Sequence, residues 1–151
     1  MQINLKIIVV GRVKEEYYRN KIEEYVYRLN KKHNIEVIEL MDESIPKNAG
    51  ESVWDSIKEK EGRRILERID NNDYVVALCI DGKMTDSEGL AGIAAKSLNR
   101  GAGSLVFIIG GSLGLHDCVV RRADYRLSFS RMTFPHQLMR VMLLEQLADY
   151  L

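Results

Sequence analysis

Residues 105–115 read Leu-Val-Phe-Ile-Ile-Gly-Gly-Ser-Leu-Gly-Leu, an apolar run that leads directly into a glycine-rich turn. Five apolar residues bounded by glycine are typical of a buried strand. A second short strand is predicted at 125–129, just before the segment Ser-Arg-Met-Thr-Phe-Pro-His at 130–136. Open α/β sheets bind ligands beyond the carboxyl ends of neighbouring strands, so these two loops predict a pocket for a small molecule.

Strand-like and helical segments alternate along the rest of the chain. Apolar runs predict strands at 3–10, 36–40, 74–80, 105–109 and 125–129, and the Asp81-Gly82 turn dipeptide is expected to end the third. The spacing of apolar residues predicts helices at 15–32, 52–69, 87–99, 117–123 and from 135 to the end. Because such alternation is typical of α/β proteins, we expect one domain over residues 1–151. Its sheet should be mostly parallel, with helices on both faces.

The last helix is apolar around nearly its whole circumference. Its apolar side chains are Leu138, Met139, Val141, Met142, Leu143, Leu144 and Leu147. A helix of this kind is buried on more than one side, whereas a sheet covers only one side. The simplest second cover is another copy of the chain, which predicts a homodimer through this helix. The alternative is a central helix within a monomer.

Charge and hydropathy narrow the class of protein. The 22 basic side chains balance the 22 acidic ones, so nonspecific binding to nucleic acid is not expected. The start of the chain is too short and too strand-like for a signal peptide, and no apolar run has the length of a membrane span. We therefore expect a cytoplasmic protein that does not contact a membrane.

Residues 118–140 are a basic segment inside this neutral chain. We call its basic residues the arginine stripe: Arg121, Arg122, Arg126, Arg131 and Arg140. The segment contains one acidic residue, Asp124. The stripe is either a solvated face or a phosphate-binding surface beside the predicted pocket.

Few motifs of established chemistry are present. The glycines of the 110–114 turn do not form the G-x-G-x-x-G pattern of dinucleotide-binding loops, although Gly110 and Gly111 would let a ligand lie against the main chain. No serine stands in a G-x-S-x-G elbow, and the two cysteines lack metal-site spacing, so no metal is expected. On this reasoning alone, His136 is an acid–base group, an RNA contact or a surface histidine.

Several segments together resemble one family along nearly the whole chain. The front contributes Val-Gly-Arg-Val-Lys at 10–14 with Tyr25 and Arg28, then Glu-Lys-Glu-Gly-Arg at 59–63. The middle contributes Leu-Cys-Ile-Asp-Gly-Lys at 78–83. The back contributes three runs: Ile-Gly-Gly-Ser-Leu-Gly at 109–114, Phe-Ser-Arg-Met-Thr-Phe-Pro-His at 129–136, and Leu-Glu-Gln at 144–146. With these motifs the chain resembles the RlmH family, small members of the SPOUT class of methyltransferases.

The resemblance implies an α/β domain whose C-terminal region, roughly residues 105–151, is threaded into a trefoil knot. It also implies S-adenosylmethionine as the methyl donor and a homodimer that buries the last helix. The implied reaction is methylation at N3 of pseudouridine 1915 in the 23S rRNA of the assembled ribosome. By resemblance, eight residues line the donor site: Leu78, Gly110, Phe129, Ser130, Arg131, Met132, Thr133 and Phe134.

Methyl transfer to an imide nitrogen requires that the nitrogen lose its proton. A base, or a basic field that favours the anion, therefore assists the reaction. We hypothesise that His136 or Arg140 supplies this assistance, while Arg131 and the rest of the arginine stripe hold phosphates.

The sequence departs from the family pattern at its C-terminal end. The family continues past Leu-Glu-Gln with Tyr-Arg-Ala and a short tail, whereas here residues 147–151 read Leu-Ala-Asp-Tyr-Leu. One alternative is therefore a catalytically silent cofactor- or RNA-binding protein. A second alternative is a plain dinucleotide-binding α/β domain.

Overall fold

The computed structural model describes residues 2–151, along which strands and helices alternate as predicted. The strands are β1 (Asn4–Val10), β2 (Asn34–Leu40), β3 (Tyr74–Met84), β4 (Leu105–Ile109) and β5 (Tyr125–Ser128). The helices are α1 (Glu16–Asn30), α2 (Glu51–Leu66), α3 (Ser87–Asn99), α4 (Asp117–Arg122) and α5 (His136–Tyr150). No helix within residues 2–151 is both long and apolar enough to cross a membrane.

The five strands form one sheet in the order β2-β1-β4-β3-β5, and every neighbouring pair is parallel. The prediction of a parallel α/β sheet is confirmed. All residues of β4 are buried, as a strand covered on both faces requires. Because the strands run in one direction, their carboxyl ends meet at one edge of the sheet.

Helices cover both faces of the sheet, as predicted. Alternate residues of a strand point to opposite faces, so Ile7 belongs to one apolar cluster and Ile8 to the other. The first cluster is covered by α1, α3 and α5, with Leu144 among its fully buried members. The second is covered by α2 and α4, which contribute Ile65 and Val119.

The expected turn at Asp81-Gly82 is wrong, because β3 continues through both residues to Met84. Leu78 and Lys83 both pair with Leu127, so the intervening residues form an irregularity in the ladder with β5. A side chain at Gly82 would place its Cβ 2.8 Å from the Arg126 carbonyl oxygen. The glycine therefore serves a close approach of two strands, a known use of glycine in sheets.

The arginine stripe is not one continuous surface. Arg122 donates to the main-chain carbonyls of Asp70 and Asp73 and pairs with Asp124 at 3.3 Å, so it braces a turn. Arg140 is only 1% exposed. The five arginines do not share one surface, because the segment passes from α4 on one face of the sheet to α5 on the other. The remaining three arginines, Arg121, Arg126 and Arg131, are exposed.

Candidate functional site

A cleft of about 630 Å³ opens at the carboxyl edge of the sheet. It lies between the glycine loop at 110–115, which follows β4, and the segment at 129–136, which joins β5 to α5. The end of β3, at residues 78–80, forms a further wall. The prediction of a pocket between two loops at this edge is confirmed. Its volume is in the range of small-molecule sites.

Most of the residues expected at a ligand site do meet in this cleft. The cleft is lined by Leu78, Gly110, Phe129, Ser130, Met132, Thr133, Phe134 and His136. Two expected residues do not line it: Arg131 is exposed beside it, and Arg140 is buried behind it.

The glycine loop presents main chain to the cleft. Its turn is closed by the Gly114 N–H, which donates to the Gly111 carbonyl at 3.0 Å. A Cβ on Gly110 would lie 2.9 Å from the Gly114 carbonyl carbon and 3.0 Å from Leu115 Cδ2. Gly110 is therefore required first by the packing of the loop on itself, and not only by a ligand as the sequence suggested.

Hydrogen bonds shape the opposite wall of the cleft. The Ser128 hydroxyl, 2% exposed, lies 2.9 Å from the Ile80 carbonyl oxygen and 3.1 Å from that of Ser130, and donates to one of them at a time. The Met132 N–H donates to Ser130 Oγ at 3.0 Å. These bonds link the end of β3 to the 129–136 segment, and they engage the Ser130 hydroxyl in a local turn.

His136, the first residue of α5, lies at the rim of the cleft and is half-buried. Burial, and then the positive charge of Arg140, hold the pKa of His136 below its usual value, while the carboxylate of Asp42 opposes this shift. A lowered histidine pKa keeps the imidazole neutral at neutral pH. His136 is therefore able to accept a proton there.

Arg140 is engaged by groups outside the cleft. Its guanidinium donates to Glu39 Oε2 at 2.6 Å and to the Gly11 carbonyl at 3.1 Å. Burial lowers the pKa of Arg140, and the bond to Glu39 opposes the shift. The buried guanidinium thus links α5 to β2 and to the residue that follows β1.

Sequence reasoning missed part of the surroundings. It named several cleft residues only as parts of longer segments and did not assign them to the site: Cys79, Ile80, Ser112, Leu113, Leu115 and Met139. Ser112 and the two leucines stood in the opening motif, so their position beyond β4 was an available signal. Glu39 and Asp42 had no such signal, because their relation to α5 depends on strand order. Within residues 2–151, no group of three or more His, Cys, Asp or Glu side chains is arranged to hold a metal ion.

Comparison with known proteins agrees with this architecture. Residues 3–148 match the family model described as a predicted SPOUT methyltransferase. The ribosomal RNA large subunit methyltransferase H of Clostridioides difficile is 54% identical over 145 residues, which cover 96% of this chain and 91% of that protein. The proteins of the same name from Clostridium kluyveri and Bacillus pumilus are each 50% identical and cover 96% and 95% of this chain. With a family model and relatives matched over nearly its whole length, the chain belongs to the RlmH family of SPOUT methyltransferases.

Proposed function

We propose that the chain transfers a methyl group from S-adenosylmethionine to N3 of a pseudouridine in 23S rRNA. The single observation that carries the proposal is the cleft at the carboxyl edge, with main chain on one wall and His136 at its rim. The relatives are named as methyltransferases of large-subunit ribosomal RNA, which supports the reaction class and the substrate.

The residues of the cleft suit such a donor. Phe129, Phe134 and Leu78 offer apolar surface to a flat adenine, and the 110–115 loop offers main-chain N–H and C=O groups to its polar edge. Thr133 adds a hydroxyl. When bound, S-adenosylmethionine supplies a methyl group activated by its positively charged sulfur.

The chain's own contribution is to position the reactants, exclude water and take a proton. The imide N3–H of the base gives its proton to the neutral imidazole of His136. The N3 lone pair would then bond to the methyl carbon of the donor as the carbon–sulfur bond breaks, and S-adenosylhomocysteine would be the leaving group. General-base assistance of this kind contributes about 10²–10⁴-fold to a rate. Alignment of the two partners in a dry cleft supplies much of the rest.

We propose that the substrate is the assembled ribosome and that the protein works in the cytoplasm, where ribosomes are found. With its balanced charges the chain is poorly suited to hold free RNA, because phosphate binding depends on positive charge. The exposed Arg131 beside the cleft and Arg126 on β5 are available to phosphates of a substrate displayed by the particle.

We propose a homodimer in which α5 lies in the interface. Leu143, Leu144 and Leu147 are fully buried inside the domain. A second apolar face of α5 is only partly covered and consists of Leu138, Met139, Val141 and Met142. Sedimentation equilibrium should give twice the mass of the chain, and Met142→Lys should give the single mass. A wild-type monomer would contradict the proposal.

We also propose that residues 105–151 form the trefoil knot that the family resemblance implies. The 129–136 segment and the 110–115 loop face each other across the cleft, and α5 then returns across the sheet to pack on α1. An experimental structure in which the chain from β4 to α5 can be traced will show whether it passes through a loop. An unthreaded path would contradict this proposal.

Two measurements test the reaction. Calorimetric titration should show S-adenosylhomocysteine binding, and radiolabelled S-adenosylmethionine should label ribosomes that lack the modification. His136→Ala should slow the transfer about 10²-fold or more with donor affinity unchanged, because it removes the base but leaves the cleft. His136→Gln is the matched control, since it keeps a polar side chain that cannot take the proton, and should be as slow.

The rival functions correspond to distinct results. Donor binding without transfer to ribosomes would indicate a catalytically silent binding protein. Preference for NAD over S-adenosylhomocysteine would indicate a dinucleotide-binding domain and would overturn the proposal. Equal rates for His136→Ala and the wild type would remove His136 from its role but leave the donor site in place.

A further inference from the structure

Arg140 is the largest fully buried side chain of residues 2–151, yet it lines no part of the cleft. Its guanidinium joins three elements. It stands on α5, donates to Glu39 on β2 at 2.6 Å, and donates to the carbonyl of Gly11, directly after β1, at 3.1 Å. A planar guanidinium holds two acceptors in a fixed geometry. The ends of β1 and β2 are therefore pinned to the first half of α5.

His136 precedes Arg140 by four residues on the same helix, so the two side chains lie on one face of α5. Gly11 lies next to His136. The position that a Gly11 Cβ would occupy is 3.9 Å from His136 Nε2 and 4.0 Å from the Asp42 carboxylate. The main chain that Arg140 holds therefore lies close to the His136 imidazole, with room for little more than one carbon atom between them.

We propose that Arg140 is a positioning residue, which holds the imidazole of His136 at the rim of the cleft by tying Gly11 and Glu39 to α5. This inference rests on the proposed function, in which His136 takes the N3 proton. It replaces the sequence-based hypothesis that Arg140 acts on the substrate itself. A charged guanidinium cannot accept a proton, so Arg140 cannot serve as the base. Its N–H groups donate to Glu39 and to the Gly11 carbonyl.

The same arrangement sets the charges around His136. The charged groups that face it are Arg140 on its own helix and Asp42 beyond β2, with Glu39 behind Arg140. Because Arg140 lowers the pKa of His136, loss of its charge should raise that pKa. Loss of the Glu39 charge leaves the guanidinium uncompensated and should lower the pKa of His136 further. The two substitutions thus have opposite expected signs.

NMR titration of the histidine ring protons in the donor-free protein tests the electrostatic part. The chain has three histidines, and His136→Ala identifies the resonance of the third. We expect Arg140→Met to raise the pH midpoint of the His136 titration and Glu39→Gln to lower it. Arg63→Met is the matched control, because Arg63 is exposed and pairs with Glu59 on its own helix. It should leave the midpoint unchanged.

Kinetics on ribosomes test the positioning part. Misplacement of a reacting group by about 1 Å costs on the order of 10²-fold in rate. Arg140→Met should therefore lower kcat about 10- to 100-fold, with the affinity for S-adenosylhomocysteine within twofold of the wild type. Arg140→Lys keeps the charge but loses one of the two hydrogen bonds. Compared with Arg140→Met, it should restore the wild-type midpoint of the His136 titration but only part of the rate.

Several outcomes would overturn the inference. An unchanged His136 midpoint in both Arg140→Met and Glu39→Gln would show that the tie does not act on His136. A loss of donor binding that parallels the loss of rate would show a merely structural role for Arg140. If the wild type transfers no methyl group, the proposed function fails, and the NMR midpoints alone then decide whether Arg140 holds His136.

Discussion

Replacement of Gly110 by alanine tests whether the glycine loop forms a wall of the donor site. The added Cβ would lie 2.9 Å from the Gly114 carbonyl carbon, 3.0 Å from its oxygen and 3.0 Å from Leu115 Cδ2. Ordinary contacts begin at 3.4 Å, so the loop must retreat by about half an ångström. Two of the three contacts are main-chain atoms, which cannot rotate away as a flexible side chain does.

Forced overpacking of this kind costs about 1–3 kcal/mol. If the loop opens into the cleft, the cost appears as weaker donor binding, and about 1.4 kcal/mol corresponds to each tenfold in affinity. We therefore expect S-adenosylhomocysteine to bind Gly110→Ala roughly 10- to 100-fold more weakly in a calorimetric titration. Thermal unfolding of the same samples will show how much of the cost destabilises the domain instead.

Gly92→Ala is the matched control, because nothing lies within 4 Å of the added Cβ on α3. It should leave donor affinity unchanged and stabilise the domain by about 0.5–1 kcal/mol, since alanine is the better helix former. Wild-type donor affinity in Gly110→Ala would refute the placement of the donor against this loop. A similar loss of affinity in both variants would refute the steric argument.

Two further predictions concern stability. Tyr25 donates to Glu145 at 2.7 Å, which raises the pKa of Tyr25 to about 12, so Tyr25→Phe should cost about 1–2 kcal/mol in urea unfolding. The raised pKa means that this contribution is full below pH 10, the usual pKa of tyrosine, and is lost as the pH rises toward 12. The exposed Tyr27 is the control, and an equal effect of Tyr27→Phe would contradict the assignment. Asp86 accepts the Gly89 N–H at 2.7 Å as the cap of α3, so Asp86→Ala should cost about 1 kcal/mol while Asp86→Asn costs little; equal values would argue against the cap.

The elements of the fold could be predicted where one local pattern dominated. The unbroken apolar run of β4 indicated a strand buried on both faces, and α3 was predicted with the bounds that the structure has, Ser87–Asn99. The Asp81-Gly82 turn was predicted wrongly, because pairing with β5 outweighed the local preference of the dipeptide. Long-range pairing of this kind has no signal within a short window of sequence.

Part of the candidate site could likewise be predicted from the sequence, and part could not. The cleft between the 110–115 loop and the 129–136 segment was expected, because both follow strands of one parallel sheet. The interpretation of Arg140 as part of a basic surface was wrong, because its partner Glu39 lies 101 residues earlier in the chain. No spacing rule connects residues that far apart.

The amino-acid order alone determined the alternation of strands and helices, the parallel sheet and the edge at which the cleft opens. These properties follow from hydrophobic periodicity and from glycine and proline, which act over a few residues. Only the tertiary structure decided which side chains meet behind the cleft. The strand order β2-β1-β4-β3-β5 brings Gly11, Glu39 and Asp42 to the start of α5, and that order is set by the packing of the whole chain.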